Sequence, residues 1–514
     1  MHEVISQLLE RLKSGGGKLH LHHLIEENVS KISSIDDKVT ALREQITSLL
    51  EQRVRECATS TALRHLAAPA RTLPVELLSE IFLLTLPHPP DPVSLHIRAA
   101  YRVSHVCSDW REVAIRTPRL WTGPLIVSAL KARTEEKDEA NAAELRLWLM
   151  RSAALSLPII LTSPCSEIRV DNLNRHSLRA LLHVACRWRS LKLVYREPWA
   201  MSFITKIETG SLVLLEELHL STSKEEVTNF NLGNAQCFST APKLRKLHLN
   251  YPCHIPMPWA QITDLSVNSI STSKVLCDVL TRCPNLVSVE TYLPVWTMSA
   301  LPTGGSDFVV LNHLHTLKLG IYRDSMRFFD HLSAPALEDL RLRLECNAAD
   351  WEETSLISFL SRCPNFMKLD IDIEWGLRIT SDALRAIFRH APSLSHLRFC
   401  SEFHTYDSEL LHTLTYSDSD APPLLPRLRS LTLPNLHFGD VGDLLVNMIR
   451  SRWWADAELA SLPTRPAVAR WSEVIMGERD KYHDPRCSVR QRLLDAMQTL
   501  RSSGLQVNIE QSSR

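Results

Sequence analysis

The sequence has no surplus of charge: 58 Lys plus Arg stand against 58 Asp plus Glu in 514 residues. A balanced chain gives no general electrostatic reason to bind nucleic acid or an acidic membrane, so neither is expected as a partner. Twelve cysteines are scattered without a single Cys-x-x-Cys pair, which removes the common zinc and redox motifs. The first fourteen residues carry Glu3, Glu10, Arg11 and Lys13 instead of an apolar leader, so reduced thiols and a cytoplasmic or nuclear location are expected. The longest apolar run, Ala153 to Leu161, is broken by Ser156 and Pro158 and is far too short for a bilayer. Gly-x-Ser-x-Gly, His-Glu-x-x-His, Gly-x-Gly-x-x-Gly and any Cys and His pairing at a defined spacing are missing, so no catalytic residue, no cofactor and no enzyme activity are expected. Gly15-Gly16-Gly17-Lys18 lacks the spacing of a phosphate-binding loop and has Leu19 in place of the metal-binding hydroxyl. His20, His22 and His23 have no Cys or acidic partner at ligand spacing; they read as a solvated loop, and no metal is expected.

What is present begins with helices. Val4, Ile5, Leu8, Leu9 and Leu12 form one amphipathic face that stops at the three glycines. Ile32, Ile35, Val39, Leu42, Ile46 and Leu49 alternate spacings of three and four, the seam of a short coiled coil that Arg53 ends. Two readings stay open for this seam: association with another helix, or packing back on the helical module that follows a hinge at Ala67 to Thr72.

That module opens Leu73-Pro74-Val75-Glu76-Leu77-Leu78-Ser79-Glu80-Ile81-Phe82. Pro74 suits a helix start, where a missing N–H has no partner to lose, and Glu76 lies on the dipole-favoured side. The apolar stripe Leu77, Leu78, Ile81, Phe82 and Leu84 is too broad for one neighbour and predicts a second one. Val103, Val106, Cys107, Trp110, Val113 and Ala114 follow at helical spacing, broken near Ser108, and Pro118-Arg119-Leu120-Trp121 closes the stretch. In order and spacing these three blocks resemble an F-box, across about a tenth of the chain. A Pro-rich insert, Pro87 to Pro92, lengthens the first loop beyond the family pattern. The resemblance implies an all-α module that docks a Skp-type adaptor and, through it, a cullin. It carries Leu73, Pro74, Leu77, Leu78, Ile81, Phe82, Val103, Val106, Cys107, Trp110, Leu120 and Trp121 as the adaptor-binding residues.

Beyond it, Glu135 to Met150 reads as a charged helix and Ser156 to Leu161 as a strand, similar to the segment after the F-box in many fungal F-box proteins. From residue 188 onward the pattern Leu-x-x-Leu-x-Leu recurs. A weak copy, Trp188-Leu191-Leu193, precedes nine clear ones whose middle residues run Leu218, Leu247, Leu265, Val289, Leu317, Leu340, Leu369, Leu397 and Leu431. Their spacing varies from 18, Leu247 to Leu265, to 34, Leu397 to Leu431, and several copies follow a helical run and a proline. Helix, turn and strand form the unit of a leucine-rich-repeat array, in which each unit buries its edge on its neighbours. The position three past the last Leu holds no Asn or Cys, and the lengths are irregular. Pro258-Trp259 and Asp407 to Pro426 read as loops, and the second, with its Ser and Asp run, is either solvated or a phosphorylated switch. The stretch from Trp453 to Asp484 reads as irregular, and Val489 to Leu500 as a helix that leads to a closing strand at Leu505 to Ile509.

The expected fold is an α/β leucine-rich-repeat-like solenoid, an irregular horseshoe, preceded by an all-α F-box and a short N-terminal coiled-coil helix. Its domains are the helical region 1–70, the F-box 71–125, a connecting helix and capping strand 126–165, and the array 166–514. Strand residues between the core leucines should point outward on a concave face. There Glu217, Asp264, Glu290, Asp339, Asp370 and Asp372 are balanced by Lys246, Lys318, Arg341, Arg343, Lys368 and Arg398, which suits a protein partner better than a phosphate backbone. His219, His248, His396 and Tyr292 lie among them; His248, Tyr292, Lys318, Arg341, Arg343, Asp370 and Arg398 are the candidate client-binding residues. The expected function is the substrate-recognition subunit of a Skp-cullin-F-box ubiquitin ligase, with a ligase-independent repeat scaffold as the alternative.

Overall fold

The computed structural model describes residues 2–13, 18–67, 69, 73–86, 93–128, 134–162, 174–194, 203–221, 236–250, 256–268, 270, 273–293, 309–345, 353–374, 379–401, 407–417, 422–436, 438–461, 466–478 and 488–511. The chain forms two compact units, residues 1–85 and 86–514. The glycine break, most of the hinge after Ala67 and the Pro-rich insert lie outside the described residues.

The first unit is helical: α1 (His2–Lys13), α2 (Lys18–Leu66) and α3 (Val75–Leu84). The seam residues lie on α2, but Arg53 does not end that helix, which continues to Leu66. His20, His22 and His23 sit in its first turns and not in a loop. From Leu19 to Arg64 every side chain is exposed except Leu24, which is half-buried. Ile32 is 58 % exposed and Leu42 56 %. Along α2, surface pairs such as Lys31 with Glu27, 2.6 Å apart four residues on, support its hydrogen bonds. On α3, Pro74 precedes the first turn and Glu76 lies in it. Leu78 and Phe82, four residues apart on one face, are buried, whereas Val75, Leu77, Ile81 and Leu84 are exposed.

The second unit opens with α4 (Val93–Ser104) and α5 (Ser108–Ile115), followed by a 3₁₀ turn at Pro118–Trp121. The break expected near Ser108 is present, and Cys107 makes it: its Sγ accepts the Trp110 N–H at 3.5 Å and caps α5. Next come β1 (Leu125–Ser128), α6 (Glu135–Arg151), β2 (Leu157–Thr162), α7 (Arg175–Leu182) and β3 (Trp188–Val194). Trp121 is wholly buried and donates its indole N–H to the Ala114 carbonyl at 2.8 Å. Its ring meets Trp148 of α6 edge-on at 5.0 Å, with the Arg151 guanidinium 4.5 Å above it, which locks the turn onto α6.

The remaining strands are β4 (Glu217–Ser221), β5 (Lys246–Leu249), β6 (Asp264–Val267), β7 (Ser288–Leu293), β8 (Val309–Val310), β9 (Thr316–Ile321), β10 (Leu332–Ser333), β11 (Asp339–Leu344), β12 (Lys368–Ile373), β13 (His396–Ser401), β14 (Ser430–Leu436), β15 (Glu473–Glu478) and β16 (Gln506–Gln511). The helices among them are α8 (Ser273–Arg282), α9 (Glu353–Ser361), α10 (Ser381–Arg389), α11 (Asp407–Leu414), α12 (Phe438–Ser451), α13 (Asp456–Ser461) and α14 (Ser488–Ser502). Among the described residues fourteen strands form one sheet in chain order, with β8 and β10 paired separately, and every pairing is parallel. Parallel neighbours need a crossover, and the helices and turns between strands supply it. The middle leucines of the nine repeats align in a single register row from Leu218 to Leu431. All of them are at most 3 % exposed. This is the architecture of a leucine-rich-repeat array.

In the second unit the structure differs from expectation in three further places. The sheet begins earlier, at Leu125, because β1 pairs β2 and β2 pairs β3. The segment after Asp407 starts with helix α11, whose Leu410, Leu411 and Leu414 are buried. The stretch read as irregular contains β15, a full repeat in which Trp471, Val474 and Met476 take the three leucine positions and are buried.

Arginines clamp the turns between units. Arg187 donates to the Leu149 and Leu155 carbonyls, each at 3.0 Å, and Arg362 to those of Phe329 at 2.6 Å and Leu332 at 3.2 Å. Arg452, only 1 % exposed, donates to the carbonyls of Leu414, Leu424 and Leu425 at 3.2, 2.7 and 2.9 Å. Burial pushes its guanidinium pKa down to about 10, and these carbonyls are what make a buried cation tolerable.

Candidate functional site

Two surfaces hold the candidate residues. In the F-box segment, burial divides them. Leu78, Phe82, Val103, Leu120 and Trp121 are at most 6 % exposed. Pro74, Leu77, Ile81 and Val106 are exposed, and Leu73, Cys107 and Trp110 half-buried. Leu77 at 52 % and Ile81 at 41 % on α3 are exposed apolar side chains, as is Val106 at 59 % in the second unit.

On the sheet, alternation sends one residue of each pair inward and the next outward. All seven candidate client-binding residues lie on the outward face, none fully buried. The middle row reads His219, His248, Ser266, Glu290, Lys318, Arg341, Asp370, Arg398 and Thr432 across β4 to β14. Its charges are paired within the face: Lys318 with Glu290 at 3.1 Å, Arg341 with Asp339 at 3.0 Å, and Arg398 with Asp370 at 2.8 Å. Hydrogen bonding to Asp339 raises the Arg341 pKa, and bonding to Glu374 raises that of Arg343. Exposed pairs of this kind contribute only about 0–1 kcal/mol each, so a partner can exchange into them at little cost.

On this face Arg343 has three partners. Glu374 lies 2.7 Å from it and Glu345 3.2 Å, and its Nη1 donates to the Tyr292 hydroxyl at 3.1 Å. Tyr292 reaches it by lying across Gly320 of β9, where a Cβ would stand 2.1 Å from the ring. Glu345, Glu374 and Gly320 were not singled out in the sequence. A signal existed for the two acids: each stands three past the last core residue of its repeat, after Leu342 and Ile371, where only Asn or Cys was sought.

At the other end of the row, Glu217 Oε1 is 2.6 Å from His219 Nε2 and 3.6 Å from His248 Nε2, and the two rings stack at 3.8 Å. The hydrogen bond to His219 lowers the Glu217 pKa, while burial and then the charge of His219 lower that of His248. The three ligating atoms lie within 4.8 Å of one another, a donor set a divalent cation accepts, although Lys246 pairs directly opposite Glu217 and sets a positive charge against that use. The buried thiols Cys237, Cys283, Cys363 and Cys400 are pushed up to about 12 by burial, which makes them poor nucleophiles. No helix among the described residues is long and apolar enough to cross a membrane.

The F-box-like family model matches residues 70–126. Searching curated proteins returns no match. Among solved structures, the chain is similar to the leucine-rich repeat-containing protein LegL7 from Legionella pneumophila, at 13 % identity and a TM-score of 0.34, covering 73 % of this chain and 98 % of that one. The chain carries an F-box-like domain at the matched residues, and its own strand pairings make the sheet that follows leucine-rich-repeat-like.

Proposed function

We propose that this protein is the substrate receptor of a Skp-cullin-F-box ubiquitin ligase, with no active site of its own, acting in the cytoplasm or nucleus. The observation that carries the reading is the divided apolar stripe of α3, inside the segment that matches the F-box-like model: Leu78 and Phe82 are buried, Leu77 and Ile81 are left bare. A Skp-type adaptor covers the bare half and brings the cullin. The client is a protein, held on the outward sheet face around Tyr292, Arg341 and Arg343, since Tyr and Arg with a mixed polar surround are the chemistry of interface anchors.

The test is affinity purification of the full chain from its native cell. The wild type is expected to bring down adaptor and cullin, and the double substitution Leu77→Ser with Ile81→Ser to reduce both at least tenfold, about 1.4 kcal/mol, with the unfolding midpoint unchanged. If the cullin is absent from the wild-type complex, the protein is a ligase-independent scaffold and the reading fails.

A further inference from the structure

Helix α2 has an apolar seam that nothing among the described residues covers, and its heptad chemistry says what does. Reading the register from Ile25, the a positions hold Ile25, Ile32, Val39 and Ile46, all β-branched. The d positions hold Leu21, Ile35, Leu42 and Leu49, with Asn28 as the one polar member. β-Branched residues at a with mostly Leu at d select two strands over three or four. The seam extends N-terminally past the six residues evident from spacing alone, giving about four heptads, or roughly 42 Å of helix. Arg53 and Glu56 take the next a and d positions, so the seam stops at Leu49 although the helix does not.

Polarity follows from the same positions. In an antiparallel pair with the whole seam overlapped, Asn28 would face Ile46 of the other copy, Asp36 would face Asp36, and Lys38 would face Lys38. In a parallel pair, Asn28 meets Asn28 and Lys31 at g reaches Asp36 at e; the opposing term is Lys38 near Arg43. Asn28 spends one amide N–H on the Leu24 carbonyl at 2.9 Å, which leaves its other N–H and its oxygen for the partner amide. One satisfied polar layer, with one attractive charge pair offset by one opposing pair, is better than a buried unpaired amide with two like-charge contacts and no attractive one.

We infer that Leu21 to Leu49 form a parallel two-stranded coiled coil with a second copy of this chain. The inference does not depend on the ligase reading. It joins two copies of the chain, so a client with two sites gains avidity.

Sedimentation equilibrium of the full chain tests it. The expected mass is twice 58.4 kDa, returning to 58.4 kDa in Ile35→Asp with Leu42→Asp while the unfolding midpoint of the remainder stays put. Asn28→Leu is expected to tighten self-association at least tenfold, because it removes the polar layer. Asn28→Cys is expected to form a disulfide-linked dimer under mild oxidation beyond the level of the wild type. A wild-type monomer from nanomolar to tens of micromolar, or a trimer, overturns the two-stranded coil; a dimer in which Asn28→Cys gives no added cross-link overturns its parallel orientation.

Discussion

Helix α2 and the parallel sheet carry the same kind of signal, an apolar residue returning at a set interval, and reach opposite states. Leu340 of β11 is completely buried, whereas Leu42 of α2 is 56 % exposed. The difference lies in where the complement is encoded. A leucine-rich repeat finds its neighbour a few dozen residues along the same chain, so the array closes itself unit by unit. A heptad seam has no such neighbour within α2 and waits for another helix.

The largest effect that would break this contrast comes from cutting the same side chain in both regions. Leu340→Ala is expected to cost about 2–5 kcal/mol, read as a lower urea midpoint, because the packed row leaves a cavity. Leu42→Ala in dilute protein should stay within about 0.5 kcal/mol of the wild type. Equal losses would mean that the seam is already covered.

A smaller effect separates the two faces of the sheet. Reversing Arg341, Arg343 and Arg398 to Glu should reduce client capture at least tenfold by proximity labelling and leave adaptor capture unchanged. An unaltered client set would move the binding surface off this face.

The smallest effect is a pH signature on that face, where two carboxylates shift in opposite directions. Burial raises the Asp372 pKa above 3.8, so its folded-state cost grows as pH rises through that range and is fully present at neutral pH. Asp372→Asn should therefore raise the midpoint slightly at pH 7. The His219 hydrogen bond lowers the Glu217 pKa below 4.5, so its contribution is present above that value and lost as pH falls through the lowered one. Glu217→Gln should lower the midpoint at pH 7 and match the wild type in strong acid. Thermal scans at both pH values decide it.

How far the sequence could be read follows the same division. The nine repeats were legible because burial on a shared row demands leucine-like residues at three positions, and the break before α5 because Cys107 and Ser108 interrupt a helical period. The β15 repeat was not, because Trp471 and Met476 fill the same volume with residues a leucine template ignores. The second half of α2 was missed since a helix bathed in water carries no packing stripe: past Leu49 only helical propensity marks it. Which adaptor-segment residues face outward depends on tertiary packing, and composition gave no means of separating Leu77 from Leu78. The outward charges were foreseen, but their pairing was not, since Glu374 reaches Arg343 from the neighbouring strand.

Gly320 touches no client in this scheme, yet it decides where the Tyr292 ring lies. The aromatic platform exists because one strand lacks a methyl group. The outward face can therefore be reshaped from beneath: an alanine at position 320 would tip the ring away from Arg343 while every outward side chain on that face stays the same.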